Sequence, residues 1–193
     1  MSLYISVILV CMLAIAGACT LLSKTAFVTA LYATFVYTML VIAIDAVTAS
    51  VVRWLLPKRC ADFEKRIYLV GAREKAFYEK IRIRKWKEKI PELGQCTGFR
   101  KNKIANPKDG AYIRRFLIEI CYGELGHFFS CITGAGTLLL PMPVKGARAI
   151  ATAVSFVNAV LNILPFFVLR YNSYKLRILL KQVEKRQKTK KNV

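Results

Sequence analysis

Two long apolar runs, separated by only three residues, constrain the fold more than any other feature of the sequence. Leu3 to Leu22 carries no charge and has about the length that a helix needs to cross a hydrocarbon core of ~30 Å. It is too long for the core of a signal peptide, so we expect it to be retained. Residues 23–25 lead into the second run, Ala26 to Val52, in which Asp45 should face protein or water. We therefore expect a hairpin of spanning helices at 3–22 and 26–52.

The charge of the chain is segregated from these apolar runs. Residues 53–115 hold 19 of the 31 Lys and Arg residues, and residues 170–193 hold nine more. A formal charge of +20 in a soluble protein would suggest nucleic-acid binding. Here 55% of the residues are hydrophobic, and basic regions beside apolar spans are typical of contact with anionic lipid or phosphate-bearing ligands. We expect a membrane protein with no nucleic-acid partner.

Two further apolar segments follow the basic region. Residues 116–140 are predicted to form a third span or a re-entrant segment, and residues 149–169 a fourth span, before a basic tail at 170–193. One basic residue lies between the first and second spans, and two lie between the third and fourth. The positive-inside rule then predicts that the basic region, the tail and both termini are cytoplasmic.

The predicted fold is an all-α integral membrane domain of about four transmembrane helices over residues 1–193. In its basic cytoplasmic segment, residues 53–115, the apolar spacing between Asp62 and Lys80 predicts an amphipathic helix at the membrane interface. Prolines and glycines from Pro91 to Gly110 predict a loop. Most cysteines fall in apolar runs without CxxC spacing, and the chain has one histidine, so neither a disulfide framework nor a metal site is expected.

Three ionisable residues interrupt the third apolar segment: Glu119, Glu124 and His127. On a helix all three fall on one side. Each would cost roughly 2 kcal/mol or more if it met lipid, so such a stripe indicates a functional site. Histidine titrates near neutrality and can act as a general base. The alternative is structural, with Glu124 and His127 satisfying each other or joining two helices.

The stretch RIRKWKEKIPELG, Arg82 to Gly94, places five Lys or Arg residues around Trp86. One interpretation is a solvated charged run at the membrane surface, with Trp86 as an interfacial anchor. The other is a cradle for phosphates or anionic head groups. Arg and Lys suit both roles, so the stretch alone does not decide between them.

Three stretches, in order, resemble a known family: KIRIRKWKEKIPELG, EICYGELGHFF and NILPFFVLRYNSYKLRIL. They resemble the glycosyl-4,4'-diaponeurosporenoate acyltransferases, small bacterial membrane enzymes, over roughly Phe63 to Leu180. Phe128 and Ser173 depart from the family pattern. The positions that follow the pattern are Trp86, Lys87, Pro91 and Glu92 in the first stretch, Glu119, Glu124 and His127 in the second, and Asn162, Pro165, Arg170, Tyr171 and Asn172 in the third.

The resemblance implies transfer of a fatty acyl group from a thioester donor to a sugar hydroxyl of a lipid-linked glycoside in the bacterial inner membrane. The donor would be acyl-CoA or an acidic acyl carrier protein, with no further cofactor. A hydroxyl that attacks a thioester needs a base, and His127 is the one side chain that titrates near neutrality. We expect Glu124 to orient the imidazole and to favour its protonated form.

The remaining positions would bind substrate. The developing oxyanion needs hydrogen-bond donors, for which the candidates are Arg170, Lys87, Trp86 and Asn162. The basic run that contains Arg84 would hold the phosphates of the donor, and Tyr171 and Asn172 complete the predicted substrate-binding set.

Other classes of protein stay open at this stage. A non-enzymatic lipid-binding scaffold would use the basic regions alone, and another membrane transferase, such as a methyltransferase, would use a similar helical frame. A small transporter would use Asp45 and Glu124 in an ion path, although the sequence shows no inverted repeat.

Overall fold

The computed structural model describes residues 2–90 and 104–191, and these ranges contain no β-strand. Their α-helices are α1 (Ser2–Ser23), α2 (Phe27–Trp54), α3 (Ala72–Lys80), α4 (Ile83–Trp86), α5 (Gly110–Thr133) and α6 (Ala147–Lys191). Short 3₁₀ turns occupy Lys58–Ala61, Arg66–Tyr68, Lys87–Lys89 and Gly134–Leu139. Pro91 and Glu92 of the first motif, and most of the predicted loop, lie outside the described residues.

In the described part of the chain, three helices are long and apolar enough to cross a membrane: α1 from Ile5, α2, and α6 as far as Thr189. Many of their apolar side chains are exposed, and Leu22, for example, is 85% exposed. Such faces suit lipid, and the prediction of helices long and apolar enough to span a membrane is confirmed for these three. Helix α5, interrupted by Glu119 and Glu124, is not one of the three, so the predicted number of four spans is not confirmed.

The protein divides into two compact units, residues 1–54 with 126–163, and residues 55–125 with 164–193. In the first unit, Tyr37 is buried and its hydroxyl donates to the Leu140 carbonyl at 2.8 Å. Gly146 has φ +83, and a Cβ there would lie 2.6 Å from Ser23 Oγ, so this close approach requires glycine. Small buried side chains let the helix backbones approach closely: Ala16, Ala30, Ala33, Ala147 and Ala151.

The second unit has two apolar clusters. One joins α5 to the last part of α6 through Ile113, Leu117 and Leu176. The other surrounds Tyr78 and Tyr171, whose rings meet edge to face at 6.2 Å. These clusters fix α3, α4 and the second half of α6 relative to one another within this unit.

The predicted amphipathic helix over Asp62–Lys80 is shorter in the structure, where only Ala72–Lys80 is α-helical. Ahead of it, arginine side chains engage backbone carbonyls that a longer helix would use internally. Arg170 donates to the carbonyls of Ile67 and Leu69, and Arg177 donates to those of Phe63 and Tyr68. The apolar spacing ahead of Ala72 therefore belongs to a segment whose carbonyls accept hydrogen bonds from the guanidinium groups of Arg170 and Arg177.

The predicted fourth span and the predicted tail form one helix, because α6 runs without interruption for 45 residues. Pro165 lies inside it and lacks the N–H that an α-helix would use at that position. Of the third motif, Asn162 belongs to the first unit, and Pro165 to Asn172 belong to the second.

Candidate functional site

A chain of polar side chains crosses the interior of the first unit. Its members come from three helices: Asp45 from α2, His127 from α5, and Asn158 and Asn162 from α6. His127 Nδ1 lies 2.9 Å from Asn162 Oδ1. Asn162 Nδ2 donates to Asp45 Oδ2 at 2.8 Å, and Asn158 Nδ2 reaches Asp45 Oδ1 at 3.3 Å. We call these four residues the His–Asn–Asp relay.

The relay fixes which nitrogen of the imidazole carries a hydrogen. Asn162 turns its NH₂ group toward Asp45 and toward both oxygens of Asn158, so its Oδ1 faces the histidine. An amide oxygen only accepts, and Nδ1 of His127 must therefore be the donor. In the neutral ring this leaves the lone pair on Nε2. The arrangement has the form of a general base held by an amide, with Asp45 holding the amide in turn.

The helix backbone makes this arrangement possible. Asn158 and Asn162 lie four residues apart and so on one face of α6. Asn158 Nδ2 also lies 3.4 Å from the Ser130 carbonyl of α5. A Cβ at Gly134 would lie only 2.3 Å from Asn158 Nδ2, so the absence of a side chain there gives the amide its place.

A second polar cluster lies in the other unit and is centred on Arg170. Its Nε and Nη2 donate to the two oxygens of Glu74, each at 2.7 Å. Nη1 donates to Glu124 Oε2 at 3.2 Å and to the Ile67 carbonyl at 2.7 Å, and Nη2 also reaches Leu69. A guanidinium has five N–H groups, and these contacts use all of them. We call this group the Arg170 clamp.

The clamp also affects the pKa values of two side chains on α3, Glu74 and Tyr78. Burial disfavours the charge on Glu74, but hydrogen bonds from Arg170 and Tyr78 outweigh it, and the pKa of this carboxyl lies below its ordinary value. Tyr78 donates to Glu74 Oε1 at 2.6 Å. Burial and this hydrogen bond raise the pKa of Tyr78, so its phenol stays protonated.

The basic tryptophan stretch meets the third motif within the second unit. Arg84 Nε donates to the Tyr171 hydroxyl at 2.6 Å, and Lys87 Nζ lies 3.3 Å from Asn172 Oδ1. Trp86 is half-buried, and its indole N–H donates to the Ile81 carbonyl at 3.0 Å. The described part of this stretch is therefore hydrogen-bonded to α6, so it is more than a solvated run of charges.

The expected pairing of Glu124 with His127 is wrong. The imidazole has Asn162 as its partner, and the Glu124 carboxylate is buried against Arg170 with 3% of the residue exposed. A carboxylate gains more from a charge-assisted bond to a guanidinium than from a neutral imidazole. Glu119 is half-buried on α5. Glu124 and His127 of the predicted stripe thus have different partners.

The predicted oxyanion donors are largely engaged. All the N–H groups of Arg170 have acceptors, the Asn162 amide faces Asp45 and Asn158, and the Trp86 indole N–H bonds to a carbonyl. These contacts favour structural or positioning roles for the three residues. Sequence reasoning missed Asn158 and Glu74, although two asparagines spaced i and i+4 in an apolar span were a usable signal for the first.

Comparison with known proteins identifies one family. A sequence profile described as glycosyl-4,4'-diaponeurosporenoate acyltransferase matches residues 53–182. The matched range includes His127, Asn162 and the Arg170 clamp, and it leaves out Asp45. No curated protein and no solved structure matches the chain. The match confirms the resemblance seen in the three sequence motifs.

Proposed function

The chain belongs to the glycosyl-4,4'-diaponeurosporenoate acyltransferase family, and we propose that it moves a fatty acyl group from a thioester donor to a sugar hydroxyl of a glycosylated carotenoid acid or a similar lipid. An acyltransferase family favours this reaction over the scaffold, methyltransferase and transporter alternatives. The three long apolar helices suit an acceptor that partitions into lipid. The acyl donor is acyl-CoA or an acyl carrier protein.

His127 is the general base in this proposal. Its Nε2 takes the proton of the sugar hydroxyl as the oxygen attacks the thioester carbonyl carbon, forming a C–O bond. The C–S bond then breaks, and the proton on Nε2 passes to the departing thiolate. The products are an ester and a free thiol, and no oxidant or reductant is needed.

The observation that carries this assignment is the hydrogen bond from His127 Nδ1 to Asn162 Oδ1. It holds the ring in the tautomer whose Nε2 is basic. Asp45 and Asn158 act as positioning residues, because they keep the Asn162 oxygen turned toward the ring.

The test is acyl transfer by the purified protein in zwitterionic nanodiscs, measured by mass spectrometry of the acceptor and by thiol release. His127→Gln and His127→Ala should reduce kcat by about 10² to 10⁴ while the thermal unfolding midpoint stays near that of wild type. Exposed Asn106, changed to Ala, provides the control. Turnover by folded His127→Ala within about threefold of wild type would show that His127 is structural.

We also propose that the basic segment, residues 53–115, and the tail, residues 170–193, are cytoplasmic in a bacterial inner membrane, because Lys and Arg concentrate in both. This orientation requires α5 to cross as a fourth span, and both termini are then cytoplasmic. With Cys60 as the single cysteine, an impermeant maleimide should label cells only after permeabilisation. Cys96, a second natural probe of this segment, lies outside the described residues. Labelling of Cys60 on intact cells would reverse the orientation.

A further inference from the structure

Three cationic side chains converge on Tyr171 in the second unit. Arg84 Nε donates to its hydroxyl at 2.6 Å, while Lys175 Nζ lies 4.8 Å and Lys87 Nζ 5.9 Å from the centre of its ring. Like charges gathered around one side chain repel each other, and a fixed or bound anion relieves that repulsion.

Four carboxylates that the structure describes in this unit pair with cations other than Arg84 and Lys175. Glu74 is engaged by Arg170, and Glu184 and Glu64 are engaged by Arg114. Glu79 lies near enough to influence Arg84, but it pairs with Lys75 at 3.8 Å. In the described part of the chain, Arg84 and Lys175 form no ion pair with a carboxylate, so positive charge is left over around Tyr171.

Asn172 provides an independent sign of a ligand. Only 8% of the residue is exposed, and its Oδ1 accepts from Lys87 Nζ at 3.3 Å. Its amide Nδ2 is buried and has no hydrogen-bond partner among the described residues. The lysine fixes the amide orientation, because a flipped amide would set NH₂ against an ammonium group. A buried donor without an acceptor costs free energy, which an anionic oxygen would recover.

We propose that Arg84, Lys87, Lys175 and the Asn172 amide form a phosphate-binding site for a pantetheine-linked acyl donor. The arginine guanidinium can donate two parallel hydrogen bonds to a phosphate, and the lysine ammonium groups attract its negative charge. The asparagine amide adds an uncharged hydrogen-bond donor. The phosphate is either a phosphate of coenzyme A or the phosphodiester that joins pantetheine to a carrier protein. This inference rests on the proposed acyl transfer, because it names the donor of that reaction.

Binding, rather than turnover, tests the site. The protein in zwitterionic nanodiscs is titrated with coenzyme A, 3'-dephospho-coenzyme A, 4'-phosphopantetheine and pantetheine. We expect pantetheine to bind at least about tenfold more weakly than the phosphorylated compounds, with an affinity for coenzyme A that falls as salt rises. Carrier protein with and without its phosphopantetheine arm distinguishes the second source. Preference for the modified carrier over coenzyme A assigns the phosphodiester.

Single substitutions distinguish a specific phosphate-binding site from non-specific attraction by the basic surface of the protein. Arg84→Ala, Lys175→Ala and Asn172→Ala should each weaken binding of coenzyme A by about tenfold, while exposed Lys65→Ala should leave it unchanged. Equal losses in Lys65→Ala, or pantetheine binding as tightly as coenzyme A, would overturn the proposal. So would equal displacement by vesicles rich in anionic lipid, which would indicate a membrane-facing patch.

One further variant distinguishes failure of this site from failure of the proposed reaction. His127→Gln should bind coenzyme A as wild type does and should not transfer acyl groups. If it binds coenzyme A and still turns over, the base is wrong and the phosphate site stands. If wild type turns over but shows no preference for phosphorylated donors, the phosphate site is wrong and the reaction stands.

Discussion

Replacing Asp45 with Asn should impair catalysis through two intervening side chains. Asp45 accepts hydrogen bonds on both oxygens, one from Asn158 and one from Asn162. An asparagine of the same shape has one acceptor and one NH₂ group, so it must turn NH₂ toward one of the two amides. If that amide is Asn162, it flips and presents its own NH₂ to His127, which moves the hydrogen of the neutral ring to Nε2.

The magnitude follows from the same hydrogen-bond arithmetic. A buried contact between the NH₂ group of the new asparagine and the NH₂ group of Asn162 costs about 1 to 3 kcal/mol. The Asn162 amide can avoid this contact only by flipping, which puts the hydrogen of the neutral His127 ring on Nε2 and removes its basic lone pair. If the active tautomer is the one penalised, kcat should fall by roughly 5- to 150-fold, since each 1.4 kcal/mol corresponds to about tenfold. KM should change little, because no contact to substrate is removed.

The assay is steady-state acyl transfer with separate kcat and KM, accompanied by the thermal unfolding midpoint. Asp62→Asn makes the same change at an exposed carboxylate that accepts from the Glu64 backbone, and it should be neutral. A double-mutant cycle of Asp45→Asn with Asn162→Ala should be strongly non-additive, because both act through one amide. Additive losses, or kcat for Asp45→Asn within about twofold of wild type, would refute the relay.

Three other variants test the frame around these residues. Arg170→Lys should lose at least two of the five clamp hydrogen bonds and lower unfolding stability by about 3 kcal/mol in detergent, and an unchanged midpoint would contradict the clamp. Glu74 has a folded-state pKa below its unfolded value of ~4.3, so its stabilisation is present at neutral pH and is lost as pH falls through the folded pKa. The stability difference between wild type and Glu74→Gln should accordingly vanish in acid, and a constant difference would argue against ionisation as its source. Gly134→Ala should displace Asn158 and reduce kcat. Gly136→Ala should be neutral, because the space that its Cβ would occupy is open. Equal effects of the two substitutions on kcat would contradict the steric role of Gly134.

The membrane helices were predictable because their signal is local. The two runs at 3–22 and 26–52 correspond closely to α1 (Ser2–Ser23) and α2 (Phe27–Trp54). Length and apolarity decide such elements without any knowledge of their neighbours. The helix expected at 62–80 failed for the opposite reason, because contacts with Arg170 and Arg177, about a hundred residues away, claim its carbonyls.

His127 and Asn162 of the candidate site were predicted from the sequence, but their pairing and the contribution of Asn158 were not. His127 and Asn162 are 35 residues apart in sequence, and Asp45 is 117 residues from Asn162. Periodicity along one helix suggested Glu124 as the partner of His127, since it compares only residues on that helix. In the structure, the Glu124 carboxylate instead accepts a hydrogen bond from Arg170, and the Asn162 amide is the partner of the His127 ring.

The third motif shows why a run of functional letters need not line one pocket. Arg170, Tyr171 and Asn172 are consecutive on α6, so their side chains leave the helix about 100° apart. Within the second unit Arg170 binds Glu74 and Glu124, whereas Tyr171 and Asn172 face Arg84 and Lys87. One helical turn thereby anchors α3 and α5 with its first residue and gathers cations with the next two. Substitution at Arg170 should then alter stability, and substitution at Asn172 should alter donor affinity.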